Sequence, residues 1–167
     1  VWAFAAFLKA LDPAAFADQI TAHELSPESW NTILAIVFIV VEMLLAVAHL
    51  TFFKPRLAFL GSGLLLLFFI GVTGWAWSQG NTEGCGCFGR LAARKPWEVI
   101  LEDSGFLAAA VLGFFLTRDW KPRRVSAVAF AALLPLVVVL PVVGPSLPFD
   151  SLVTTFNPGE DMSSLAA

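Results

Sequence analysis

The sequence predicts an all-α protein, a polytopic transmembrane helical bundle, and three observations carry that reading. Hydrophobic residues make up 58% of the chain and charged ones 14%, with a mean hydropathy of +0.80, far more apolar than a soluble domain. Apolar runs of about 20 residues recur along it, each long enough to cross ~30 Å of hydrocarbon. The charges between these runs are sorted by sign, with the basic residues gathered in alternate connections. A length of 167 residues accommodates roughly four or five spans. The formal net charge of -3, with no basic stripe, excludes a nucleic-acid partner and leaves the lipid bilayer as the first one.

The first apolar run, Val1 to Leu8, is under half a span, and there is no initiator Met. It reads as the end of a first membrane helix whose beginning lies upstream. A signal peptide is the alternative for so short a run, but it lacks a basic leader and a small-residue cleavage site. Lys9 closes the run. Asp12-Pro13 then starts a second helix, with an acid cap and a proline in the first turn. Phe16, Ile20 and His23 recur at i, i+4 and i+7 among polar residues, the pattern of a short helix lying flat in the membrane interface.

Ser26-Pro27-Glu28-Ser29 restarts a helix, and Trp30 to Phe53 is long enough to span, ending before Lys54, Pro55 and Arg56. The next span runs from about Arg56 to Ser78, with Trp75 and Trp77 at its interfacial end. Gly71, Gly74 and Ser78 share one face of it, a stripe expected to admit a neighbouring helix. From Gln79 to Pro96 the chain is polar and glycine-rich. Trp97 to Thr117 follows as a span, with Glu98, Glu102 and Asp103 in its first two turns, where they complement the positive helix end and are expected to face water or the loop. Gly105, Ala109 and Gly113 form two small-xxx-small steps, a second helix-packing signal. After the basic turn Arg118 to Arg124, Val125 to Val143 makes a last span with a kink at Pro135. The remainder, Gly144 to Ala167, contains prolines and acids and has little helical period.

If the spans alternate, the turns at Lys54/Arg56 and at Arg118 to Arg124 share one side, holding six of the ten Lys/Arg and one of the thirteen acids. The positive-inside rule places that side in the cytoplasm. The Asp12 to Ser29 segment, the glycine-rich loop and the tail then lie outside, although Arg90, Arg94 and Lys95 in the loop run against the rule.

That loop contains both cysteines, in Gly84-Cys85-Gly86-Cys87-Phe88-Gly89. A disulfide between Cys85 and Cys87 closes an 11-membered ring, which departs from relaxed geometry and is easily reduced, so the pair suits exchange better than stapling. Gly84, Gly86 and Gly89 permit unusual backbone angles, Phe88 completes the block, and Arg90 favours the attacking thiolate. A purely structural role, as a local disulfide or two thiols packed in a lid, stands beside this one. A metal site is not expected, because a stable zinc site takes four ligands and the chain has two cysteines and two histidines. His23 is more simply interfacial. Glu42 falls near the middle of its span, where an ionisable group costs about 3 kcal/mol on insertion scales and points to function. His49 shares its face across Ala46, so a proton-relay or quinone-contacting stripe is one reading. The other is that Glu42, protonated or bonded to a neighbouring helix, holds the bundle in register; its partner is not legible in the sequence.

With these residues in place the chain resembles the MauE/DoxX-like integral membrane family, specifically its MauE branch. The likeness rests on Lys9-Ala10-Leu11-Asp12-Pro13 with Phe16, on Glu42, and above all on Cys85-Gly86-Cys87-Phe88-Gly89, followed by Trp97 and the helix leading through Asp103. The resemblance implies a four-helix core over residues 1–120, similar to quinone-coupled thiol oxidoreductases, in the bacterial inner (cytoplasmic) membrane. Residues 121–144 are then an additional C-terminal span and 145–167 an extended extracytoplasmic tail. It further implies a maturation role, passing thiol-disulfide equivalents to an extracytoplasmic thioredoxin-like or substrate protein, with a quinone as the conceivable cofactor. A second Cys pair is absent from the sequence, so exchange passes directly between Cys85/Cys87 and the partner. The rival expectation is a non-catalytic accessory subunit that docks through its helices and tail onto neighbouring subunits of a membrane complex.

Overall fold

The computed structural model describes residues 1–22, 26–80, 95–121 and 123–146, and among these all regular structure is helical. The elements are α1 (Trp2–Leu11), α2 (Pro13–Ala22), α3 (Glu28–Thr51), α4 (Pro55–Ser78), α5 (Pro96–Leu116) and α6 (Arg124–Val143), closed by a 3-10 turn at Gly144–Ser146. Among the described residues, four helices are long and apolar enough to cross a membrane, and α1 is a shorter apolar helix. The protein is a multi-pass helical membrane protein, as the hydropathy predicts.

Helix boundaries follow from local chemistry. Asp12 separates α1 from α2 and its side chain accepts a hydrogen bond from the Ala15 amide at 2.9 Å, capping α2 as the Asp-Pro pair predicts. Asn31, buried near the start of α3, donates to the Thr21 hydroxyl at 2.7 Å and accepts from Ser26, which ties the end of α2 to α3. Pro55 and Pro96 each open a helix in its first turn, where a missing amide proton costs nothing. At the head of α5 the Glu98 carboxylate accepts from the Lys95 amide at 3.0 Å.

The core is built around α3, which packs against α1, α2 and α6 and more lightly against α4; α4 and α5 form a tightly packed antiparallel pair. Ala6, Ala10, Phe16, Ala17, Ile20, Ala35, Ile39, Met43, Val47 and Val137 make one buried cluster joining α1, α2, α3 and α6. In α2, Phe16 and Ile20 are the residues whose spacing suggests an interfacial helix, yet they are turned into this protein core and are only 6% and 5% exposed. The amphipathic face is real, but its apolar partner is α3 rather than lipid. The outer faces are lipid-suited, with Leu64, Leu101, Phe115, Val125 and Val142 each at least 60% exposed.

Both basic turns lie at one end of the bundle. Phe52, after α3, stacks on Trp120, after α5, with ring centroids 5.6 Å apart. At the opposite end, Gly144 closes onto the end of α1, where an added Cβ would collide with the Ala10 carbonyl. The alternation inferred from charge is therefore the arrangement of the helices.

The small-residue stripes are only partly used. A Cβ built on Gly71, Gly74 or Gly105 meets nothing within 4 Å, so these positions bring no neighbour close within the described residues. Gly113 does, because a Cβ there would lie 2.6 Å from Cδ1 of Phe59 on α4. The inward face of α5 runs through Val99, Asp103, Ala110 and Gly113, a register different from the Gly105, Ala109, Gly113 line.

Candidate functional site

Lys9 lies on the inward face of α1 with Ala5, Ala6 and Ala10. It is 4% exposed, and its ammonium donates to Oε1 of Glu42, which is fully buried on α3. The Lys9 nitrogen also sits 4.6 Å from the ring centroid of Phe16 on α2 and 5.1 Å from that of Phe69 on α4. Two aromatic faces and a carboxylate thus hold one cation at the junction of four helices. The other carboxylate oxygen, Oε2 of Glu42, has no hydrogen-bond partner among the described residues.

Asp103 is also turned inward, 4% exposed on the packed face of α5, with Lys9 and Glu42 among the charges near enough to act on it. The sequence reading places it with Glu98 and Glu102 facing water or the loop; burial on the α5 face that packs inward corrects this. Phe69, level with the cluster, precedes Ser78 by nine residues, about 13 Å of helix. The cluster therefore lies beneath the ends of α4 and α5 that carry the cysteine-containing connection.

Cys85 and Cys87, with Gly84, Gly86, Phe88, Gly89 and Arg90, lie outside the described residues, as does His23. Among the described residues no group of three or more His, Cys, Asp or Glu side chains is placed to hold a metal ion.

Glu42 and His49, assigned to one stripe by their spacing, have different surroundings. Glu42 turns to Lys9, whereas His49 and Ala46 line a cavity of about 240 Å³ between α1, α3, α4 and α5, with Trp2, Phe59, Phe106 and Ser62 among its other walls. His49 Nδ1 is 2.7 Å from the Leu45 carbonyl. A carbonyl only accepts, so Nδ1 carries the proton and, in the neutral ring, Nε2 is an acceptor. Ser62 is 1% exposed and its hydroxyl has no hydrogen-bond partner among the described residues. One unsatisfied hydroxyl donor and one imidazole acceptor in an aromatic-walled cavity fit the oxygen of a quinone or quinol ring. Ser62 stands sixteen residues, about 24 Å, from the end of α4 that leads into the cysteine connection.

Two of these residues are not identified as site residues by sequence reasoning. Lys9 ends a short apolar run and so looks like a boundary marker. Asp103 is grouped with its acidic neighbours, although the spacing of Val99, Asp103, Ala110 and Gly113 carries the helical signal that marks its face as internal.

Against known proteins, a family model described as methylamine utilisation protein MauE matches residues 1–116. No curated protein and no solved structure matches the chain.

Proposed function

The chain belongs to the methylamine utilisation protein MauE family, and from that premise we propose that it is a membrane thiol-disulfide exchange protein acting through Cys85 and Cys87. The observation that carries this reading is the Cys-Gly-Cys block itself, both cysteines of the chain set one residue apart among glycines in the connection between α4 and α5. The proposed location is a bacterial inner membrane, with this connection outside and the basic turns in the cytoplasm.

One cysteine thiolate attacks a disulfide of an extracytoplasmic thioredoxin-like or substrate protein, forming a mixed disulfide and releasing one partner thiolate. The second cysteine, as thiolate, attacks the chain's own sulfur in that mixed disulfide and releases the other partner thiolate. The Cys85–Cys87 pair ends oxidised, the partner reduced by two electrons, and the released thiolates take up the two protons the cysteines gave. Run backwards, the same steps draw two electrons from a partner dithiol. A quinone, when bound in the cavity, would be an acceptor of two electrons and two protons, with Ser62 donating to its oxygen and His49 accepting from the hydroxyl of the reduced quinol. At about 24 Å of helix from the cysteine connection, it takes no electrons directly from Cys85 and Cys87.

The test is to replace Cys87 with Ser, and Cys85 in a second variant, and to examine membranes on non-reducing gels. The resolving-cysteine variant is expected to trap a reducible adduct with an extracytoplasmic protein. If neither variant yields one and a stable complex still co-purifies, the exchange reading fails. An accessory subunit of a membrane complex is then the better description. The feature favouring that second reading is α6, which lies beyond the family match, packs on α1 and α3, and leaves most of its surface exposed.

A further inference from the structure

The connection between α3 and α4 is unusual in its backbone. Phe52 and Lys54 have φ of 51° and 44°, the only non-glycine residues with positive φ among those described. Left-handed backbone at two bulky residues within three positions runs against steric preference, and its surroundings must hold it. Here the Phe52 amide donates to the His49 carbonyl at 3.3 Å and the Phe53 amide to that of Ala48 at 3.1 Å. The Phe52 ring stacks on Trp120 from the other basic turn.

The result is a pocket of about 170 Å³ lined by Lys54, Pro55, Arg56, Leu57, Thr117 and Trp120. Its two cations come from one turn and its Trp and Thr from the other, so the pocket depends on the two turns meeting. The Arg56 guanidinium lies 4.6 Å from the Phe114 ring centroid, which fixes its direction. The Thr117 hydroxyl donates to the Gly113 carbonyl at 2.7 Å and therefore presents only acceptor lone pairs to the pocket. From Leu57, an apolar line continues along α4 through Leu60 and Leu64, which are 59%, 45% and 60% exposed respectively.

We propose that this pocket binds one anionic phospholipid with a hydroxylated headgroup. The phosphate lies between Lys54 and Arg56, a headgroup hydroxyl donates to Thr117, Trp120 sits at the interface, and an acyl chain follows the leucine line of α4. That line distinguishes a lipid from free phosphate, since a soluble anion has no use for it. The basic side chains of the neighbouring turn, Arg123 and Arg124, add only a diffuse field because they do not line the pocket.

The experiment uses the full chain purified in mild non-ionic detergent with an equimolar mixture of phosphatidylglycerol and phosphatidylcholine, with retained lipid counted by native mass spectrometry. One phosphatidylglycerol is expected to remain bound in preference to phosphatidylcholine. Lys54→Gln with Arg56→Gln should weaken that binding about thirtyfold, at about fivefold for each lost cation. Lys54→Arg, which keeps the charge, should retain it, and Arg123→Gln with Arg124→Gln should leave it nearly unchanged. Equal loss from the two double variants would show diffuse attraction and overturn the pocket. Equal retention of phosphatidylcholine would overturn the charge requirement, and displacement of the lipid by millimolar inorganic phosphate would overturn the lipid as ligand.

Discussion

Lys9 and Glu42, thirty-three residues apart, are paired by a charge-assisted hydrogen bond in the interior of the bundle, with the lysine 4% exposed and the glutamate at 0%. Taking both charges out of water is costly, so neither persists without the other. The pair joins α1 to α3, and Phe16 and Phe69 extend the contact to α2 and α4. Lys9→Met should therefore lower stability by about 3–5 kcal/mol, because it leaves the Glu42 carboxylate uncompensated. Combining Lys9→Met with Glu42→Leu should recover most of that loss. Thermal unfolding in detergent measures both. If the double variant proved no more stable than Lys9→Met, the two residues would not be acting as a pair.

The glycines separate by what surrounds them. Gly144→Ala pushes a Cβ into the Ala10 carbonyl, with the carbonyl carbon 3.0 Å away, and backbone does not yield easily. Gly113→Ala meets the Phe59 ring, a side chain that moves only against its edge-on partner His49, whose centroid is 4.8 Å away. Gly71→Ala meets nothing. The expected order of destabilisation is Gly144, then Gly113 at about 1–3 kcal/mol for overpacking, with Gly71→Ala neutral or slightly stabilising through helix propensity. Unfolding midpoints of the three variants check the order.

What could be read from the sequence, and what could not, divides along a physical line. The spans were legible because a membrane helix is specified locally, by some twenty consecutive apolar residues and the prolines and tryptophans at its ends. Pro55 and Pro96 mark helix starts in sequence and structure alike. Glu42 was legible as an anomaly, since a mid-span carboxylate needs an explanation, but its partner was not, because nothing local links position 42 to position 9. Asp103 is a sharper case: three acids in two turns suggest one exposed group, while helical phase sends Asp103 inward and leaves Glu98 on the first turn. The small-residue stripes are a mixed case: Gly113 takes the Phe59 ring at close range, whereas Gly71, Gly74 and Gly105 meet no neighbour among the described residues, as small residues permit a close approach without supplying one.

The charge asymmetry yields a prediction about sidedness. Lys54 and Arg56 share one end of the bundle with the Arg118 to Arg124 turn, as the Phe52–Trp120 stack requires. With that end in the cytoplasm, the antiparallel α4–α5 pair puts its other connection outside. After mild reduction of intact cells, a membrane-impermeant maleimide should label Cys85 and Cys87, and a Cys85→Ser, Cys87→Ser variant should not be labelled. Labelling seen only after lysis would reverse the orientation and remove the extracytoplasmic partner from the proposed function.

The cavity yields a prediction in which two measurements move in opposite directions. The Ser62 hydroxyl is buried without a hydrogen-bond partner among the described residues, and an unsatisfied buried hydroxyl costs about 1–3 kcal/mol. Ser62→Ala should thus raise the stability of the ligand-free protein. If the cavity holds a quinone, the same change removes the donor to its ring oxygen and should weaken binding of a short-chain benzoquinone by about five- to tenfold, the worth of one neutral hydrogen bond. His49→Phe, which keeps an aromatic wall but removes the Nε2 acceptor, should weaken the corresponding quinol more than the quinone, since only the quinol donates a proton to it. Isothermal titration with the oxidised and reduced ligands, beside thermal unfolding of each variant, distinguishes this from a simple packing void. In a void, Ser62→Ala would raise stability with no effect on either ligand, and His49→Phe would not discriminate between the two oxidation states.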